Sequence, residues 1–282
     1  MIRTPPGWGA DVITRAYRSM TLTSDVDSRE TAGTPAVRRI GGEDLRWALN
    51  RGWDDFKASR SDVVFLCVLY PAVGLVLARL AFGYQMLPLV FPLASGFALL
   101  GPLAAVGLNE MSRRREMGLS AGWADAFKVF RSPSIHAIAL LGLALMMLFV
   151  FWLLAAQIIY NVTLGPKPPI SVDAFAHDLL HTRAGVAMAF AGCATGFVFA
   201  AVALAVGAVS FPMLLDRKVS LETAVTTSIH VVRRNPVTMA KWGIIITLGL
   251  VAGSIPLLLG LMIVMPVLGH ATWHLYRRVV IS

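Results

Sequence analysis

The chain alternates long, unbroken apolar blocks with shorter stretches in which apolar and polar residues recur at helical spacing. Residues 84–108, 135–164 and 184–215 carry no charge, 242–276 carries none while its two histidines are neutral, and 62–82 carries only Arg79. A spanning helix needs about 20 apolar residues. The 46 residues from Val63 to Leu108 would make a helix of ~69 Å, more than twice the ~30 Å hydrocarbon core. That block therefore predicts two spans turned at residues 83–85, and the block after Pro236 predicts two more turned at 253–256. Six spans result: about 62–82, 86–108, 135–160, 185–209, 238–255 and 257–276.

An amphipathic stretch precedes each pair of spans. In the first, residues 43–62, Leu45, Leu49, Trp53 and Phe56 fall on one helical stripe. Leu119, Trp123, Phe127 and Phe130 repeat those offsets, and Leu221, Val225, Ile229 and Val232 repeat them again. Ser120 and Ser220 are expected caps, and Pro133 and Pro236 mark the break before the next span. A second similarity, "FKASRS" (56–61) to "FKVFRS" (127–132), is shifted by about one helical turn against the first. The predicted fold is all-α: a polytopic helical membrane protein of about six transmembrane helices, built as three repeats of an interfacial helix plus a transmembrane hairpin.

Composition agrees with this pattern. Of 282 residues 56% are hydrophobic and 15% charged, against about a quarter charged in soluble domains. Residues 1–40 are polar and lack the apolar core of a secretory signal, so they are expected to form a disordered leader, with 41–282 a single transmembrane domain. Charge then sets orientation. In the six-span frame, 22 of the 25 Lys and Arg fall on one side, leaving Arg79, Lys167 and Arg183 near the other. Positive residues stay cytoplasmic, so both termini are expected inside. The net charge of +9 reads as attraction to anionic lipid; no motif supports nucleic-acid binding.

Three stretches carry a resemblance. "GWDDFKASRSD" (52–62), "RRNPVTMAKW" (233–242) and the closing "LGLMIVMPVLGHATWHLYRR" (259–278) resemble a bacterial family of predicted integral membrane proteins, domain of unknown function 2189, over roughly residues 40–278. The resemblance implies an inner-membrane location and about six helices. It brings no activity and no catalytic residue. The helix-plus-hairpin plan is also similar in architecture to membrane domains attached to some glycerophosphodiester phosphodiesterases.

The candidate chemistry is sparse. No phosphate loop, nucleophile elbow or His-Glu-x-x-His motif occurs. All sixteen Asp and Glu are expected outside the hydrocarbon or at its edge, which disfavours ion-coupled transport. Asp54 and Asp55, beside Trp53 and Phe56, can do paired acid–base work, but a solvated face with local ion pairs to Arg51 and Lys57 is the expectation. His177 and His181 in the outward loop, and His270 and His274 flanking Trp273, each stand four residues apart, a spacing that can hold zinc or copper. For the second pair, hydrogen bonds to neighbouring helices at the inner interface compete with metal or haem ligation. Asn235 before Pro236 is expected to cap the fifth span. Gly192 and Gly196 form a GxxxG that permits close helix contact, while Cys67 and Cys193 fall inside spans and are expected to pack as small apolar groups.

The reading is a non-catalytic inner-membrane protein, a scaffold or assembly partner of another membrane complex. A transporter or channel for a small or lipid-like solute is the alternative, favoured by spans interrupted at Pro71, Pro88, Pro92, Pro102, Pro256 and Pro266. A metal- or haem-handling protein is the second alternative. No cofactor is expected. The expected partners are the bilayer and another membrane protein or a second copy.

Overall fold

The computed structural model describes residues 35–59, 87–256 and 259–281. The expected first span (62–82), its turn at 83–85, Cys67 and most of the leader lie outside the described residues. Eleven α-helices are described: α1 (Gly42–Ala58), α2 (Val90–Ala104), α3 (Val106–Glu116), α4 (Trp123–Ala126), α5 (Ile135–Thr163), α6 (Val172–His181), α7 (Arg183–Gly207), α8 (Ser210–Asp216), α9 (Leu221–Arg234), α10 (Pro236–Ser254) and α11 (Leu261–Val279). Among the described residues there is no strand, only an isolated antiparallel bridge between Val37 and Val280.

Among the described residues, three segments are long and apolar enough to cross a membrane: Ile135–Thr163, Arg183–Asp216 and Pro236–Ser254. α5 shows how such a segment is used. Ile138, Leu141, Leu145, Trp152, Ala156 and Tyr160 are buried on one face, while Leu143, Met147, Phe151, Leu154, Ile158 and Val162 are exposed on the other. A face of large apolar side chains over a 29-residue helix has no stable home in water and needs lipid or protein against it.

Two expected spans take a different form. The block expected at 86–108 is a 3-10 turn (Leu87–Leu89) and α2, with a break at Ala105 before α3. Pro102 sits inside α2 and lacks the N–H that would extend the ladder there. α3 then runs on through the polar sequence NEMSRRRE. The block expected at 257–276 is α11, whose second half packs along α1. Gly52 makes this approach possible, because a Cβ there would lie 2.6 Å from the Val267 carbonyl oxygen and 2.7 Å from the Ala271 nitrogen. At the other end of α11, Gly253 and Gly260 meet where α10 turns back, a Cβ on Gly260 falling 2.7 Å from the Gly253 Cα.

The amphipathic stretches also differ in detail. α1 buries Leu45, Ala48, Gly52, Asp55 and Phe56, while Trp53 is exposed. α9 buries Ala224, Thr227, Ser228 and Val231, so the expected Leu221–Val225–Ile229–Val232 stripe borders the contact instead of centring it. Small side chains win the centre because they let helix backbones come close. The middle stretch is the single turn α4 followed by a 3-10 turn (Phe127–Arg131). Its cap is Gly122, whose N–H is accepted by the Asp125 carboxylate at 2.9 Å, and not Ser120. Ser220 does cap α9, its hydroxyl accepting from the Thr223 N–H at 3.1 Å.

Residues 36–40, expected within the polar leader, are built into the fold. Val37 and Ile40 are buried, the Arg38 N–H donates to the Val279 carbonyl and the Ile281 N–H to that of Ala36. In the GxxxG of α7, a Cβ on Gly196 would lie 3.1 Å from the Trp152 ring of the same chain, while nothing lies within 4 Å of a Cβ on Gly192. Trp152 in turn donates from Nε1 to the Pro92 carbonyl at 3.0 Å, tying α5 to α2.

Candidate functional site

Where α1, α3 and α11 converge, side chains far apart in sequence form a buried polar cluster. Asp55 of α1, Ser112 of α3 and His270 of α11 are 6%, 1% and 0% exposed. Ser112 Oγ lies 2.6 Å from Asp55 Oδ2 and 2.8 Å from His270 Nδ1. His274 Nε2 lies 2.8 Å from the same Asp55 oxygen, and the Arg115 guanidinium lies 3.3 Å from Asp55 Oδ1.

The proton count fixes the roles. An ionised carboxylate only accepts, so Ser112 donates its single hydroxyl proton to Asp55 and must accept from His270 Nδ1–H. His274 then donates from Nε2. Burial pushes the Asp55 carboxyl up. The hydrogen bonds from His274 and Ser112, with the charges of the two imidazoles, more than offset this and hold it below its ordinary value of 3.8.

The components are those of a serine-hydrolase triad, but the connectivity is not. In a triad the imidazole bridges serine and carboxylate through its two nitrogens. Here the serine bridges, its hydroxyl proton is spent on the carboxylate, and the two imidazoles bind different partners. The arrangement can tie three helices together; Ser112, with its proton on Asp55 and 1% exposed, is not an accessible nucleophile.

A second layer surrounds it. Trp273 Nε1 donates to Glu116 at 2.8 Å, Arg277 pairs with Glu116 and Asp216, and the Tyr276 hydroxyl donates to Asp216 at 2.6 Å. The Trp47 ring meets His274 edge-on and carries the Arg278 guanidinium 4.0 Å from its centroid. Cations of α3 and α11 thus meet the carboxylates of Asp55, Glu116 and Asp216.

The other candidates fall as follows. Asp54, adjacent to Asp55, is on the solvated side and pairs with Lys57 at 3.1 Å; the two acids face different ways and do not work as a pair, since neighbours on a helix point about 100° apart. Phe56 is buried with Leu108 and Met111, whereas exposed Trp53 leans on it. Pro236 opens α10 at its first turn, but the Asn235 side chain makes no cap. It is needed elsewhere: Oδ1 accepts the Ile40 N–H at 2.9 Å and Nδ2 donates to the Arg38 carbonyl at 3.1 Å. His177 and His181 stack at 4.8 Å on α6, and His181 Nδ1 faces the His177 carbonyl at 3.2 Å. Among the described residues no group of three or more His, Cys, Asp or Glu is placed to hold a metal ion. Ser112, Arg115 and Trp47 were not singled out by sequence. The first two sit in a run of charge and hydroxyl that reads as a solvated helix end.

The membrane assignment has independent support. Residues 90–216 match the family model described as a predicted integral membrane protein (DUF2189). The chain is an integral membrane protein. The DUF2189 match takes in α2 to α8, with two of the three membrane-crossing segments and, in α3, Ser112 and Arg115. The three stretches quoted for the resemblance lie outside residues 90–216, as do Asp55, His270 and His274. No curated protein and no solved structure matches.

Proposed function

We propose that this chain is a non-catalytic, multi-pass protein of the bacterial inner membrane, with both termini cytoplasmic, that serves as a scaffold or assembly partner for another membrane protein. The carrying observation is how Asp55 is used: both of its oxygens are taken by donors from α3 and α11. A carboxylate so occupied is a structural tie. It fixes α1, α3 and α11 into a rigid polar cap on the membrane helices, and rigid elements make precise platforms for a partner.

The threefold plan belongs to this reading. Aligning the stretches by their apolar stripes places Gly52, Ala126 and Ser228 at one position and Asp55, Val129 and Val231 at another, and all six are buried. Such agreement supports an interfacial-helix unit used three times, each leading into a hairpin. The sidedness of the cations supports cytoplasmic termini.

Affinity purification of the full chain in mild detergent tests the scaffold reading. It expects a partner at fixed stoichiometry that is lost from an Asp55→Ala chain; a homogeneous, partner-free wild-type chain overturns it. Topology is tested separately. Reporters fused after Ser282 and inserted after Lys167 should report opposite sides, the first cytoplasmic.

A further inference from the structure

Four of the cations that pair with no carboxylate among the described residues stand around the start of α10. At this end of the molecule Asp44, Asp55, Glu110, Glu116, Asp125 and Asp216 each pair with a Lys, Arg or His of the chain. Arg39, Arg233, Arg234 and Lys241 pair with no carboxylate among the described residues, and all four are exposed. Asn235 brings them to one corner. By holding the Ile40 N–H and the Arg38 carbonyl it clamps the backbone on both sides of Arg39 against the junction of α9 and α10, and Thr238 adds a bond to the Ile40 carbonyl at 2.9 Å. Glu43, in the first turn of α1, is the nearest carboxylate in sequence to this corner and leaves the balance positive.

Below that corner α10 presents an apolar track. Val237, Ile244, Leu248 and Val251 are 66%, 57%, 63% and 57% exposed. With Lys241 they fall at successive intervals of four, three, four and three, which is one helix face. The opposite face holds Met239 and Trp242, both buried. From Lys241 to Val251 the track runs ~15 Å, half of the ~30 Å hydrocarbon core.

We propose that this corner and track form a binding site for an anionic phospholipid, its phosphate held by Arg39, Arg233, Arg234 and Lys241 and an acyl chain lying along Ile244, Leu248 and Val251. Three features converge. The cations are unspent, they stand at the start of a membrane-crossing helix where headgroups lie, and the apolar face beneath them has the length of one leaflet. Guanidinium groups fork onto phosphate oxygens, while Lys241 reaches up from one turn inside the helix as lysines at membrane interfaces do.

The test uses the purified full chain in phosphatidylcholine nanodiscs doped with a photoactivatable phosphatidylglycerol or, in parallel, a photoactivatable phosphatidylcholine. Labelling in residues 237–251 should favour the glycerol lipid by about fivefold or more, since each cation near the surface contributes about that factor. Arg234→Gln alone should lower the preference by about two- to fivefold. The set Arg39→Gln, Arg233→Gln, Arg234→Gln, Lys241→Gln should abolish it, and an Arg39→Lys, Arg233→Lys, Arg234→Lys chain should keep most of it. The lysine set and the single variant decide the matter if the fourfold variant melts early. Equal labelling of the wild type by both lipids overturns the proposal. So does a photo-crosslinker at position 244 or 248 that captures residues 60–86 of the same chain, which would make that segment the occupant.

Discussion

Asp55 shows how far one residue can be read from its neighbours in sequence. Its surroundings, Asp54, Arg51 and Lys57, describe a solvated face, and that description holds for Asp54. Asp55 is turned by one residue into the contact with α3 and α11, where Ser112 and His274 depend on it. Asp55→Ala should therefore destabilise the chain by about 3 kcal/mol, because it strands buried donors, whereas Asp54→Ala should change stability by no more than about 0.5 kcal/mol. Thermal melts in detergent compare the two. Ser112→Ala removes two bonds and leaves the buried His270 Nδ1–H unpaired, and should cost about 2 kcal/mol. The acid response follows from the depressed Asp55 carboxyl. Its contribution is present above the ordinary value of 3.8 and is lost as pH falls through the lower folded value. Melting temperature should thus fall in acid below about pH 4 more steeply in the wild type than in Asp55→Asn, which has no proton to take up there. Equal slopes would count against Asp55 as the ionised partner.

At the scale of elements, the contact of α1 with α11 rests on a missing side chain. The backbone of α11 occupies the space a Cβ on Gly52 would need. Gly52→Val should lift α1 from α11, costing about 1–3 kcal/mol by overpacking and exposing α1 amides to hydrogen exchange while α5 stays protected. The sequence made α1 legible as a helix that buries Leu45 and Phe56, but it misplaced the centre of the buried face. Large apolar residues mark a stripe to any reader of periodicity; a glycine marks nothing until the opposing backbone is seen. The same reason explains α9, whose contact is centred on Ala224 and Ser228.

At the scale of the whole molecule, the long apolar segments and the polar cap divide the chain between two environments. Cys193, exposed within α7, reports this division. In membranes carrying a Cys67→Ser chain, a lipophilic maleimide should modify Cys193 and a charged, impermeant one should not; equal modification would place that face of α7 in water.

The sequence alone determined that helices of this chain cross a bilayer, because the length of an apolar run is a local property matched to a fixed thickness. It also set His270 and His274 on one face, because four residues make about one helical turn. The tertiary structure decided what those imidazoles meet. Partners 57 and 219 residues away from Asp55 are chosen by how three helices rotate and approach, and that choice is made by small residues whose identities carry no periodic signal. It likewise decided that Asn235 clamps residues 38–40 instead of capping a helix, since an amide satisfies whichever backbone groups the fold brings within reach.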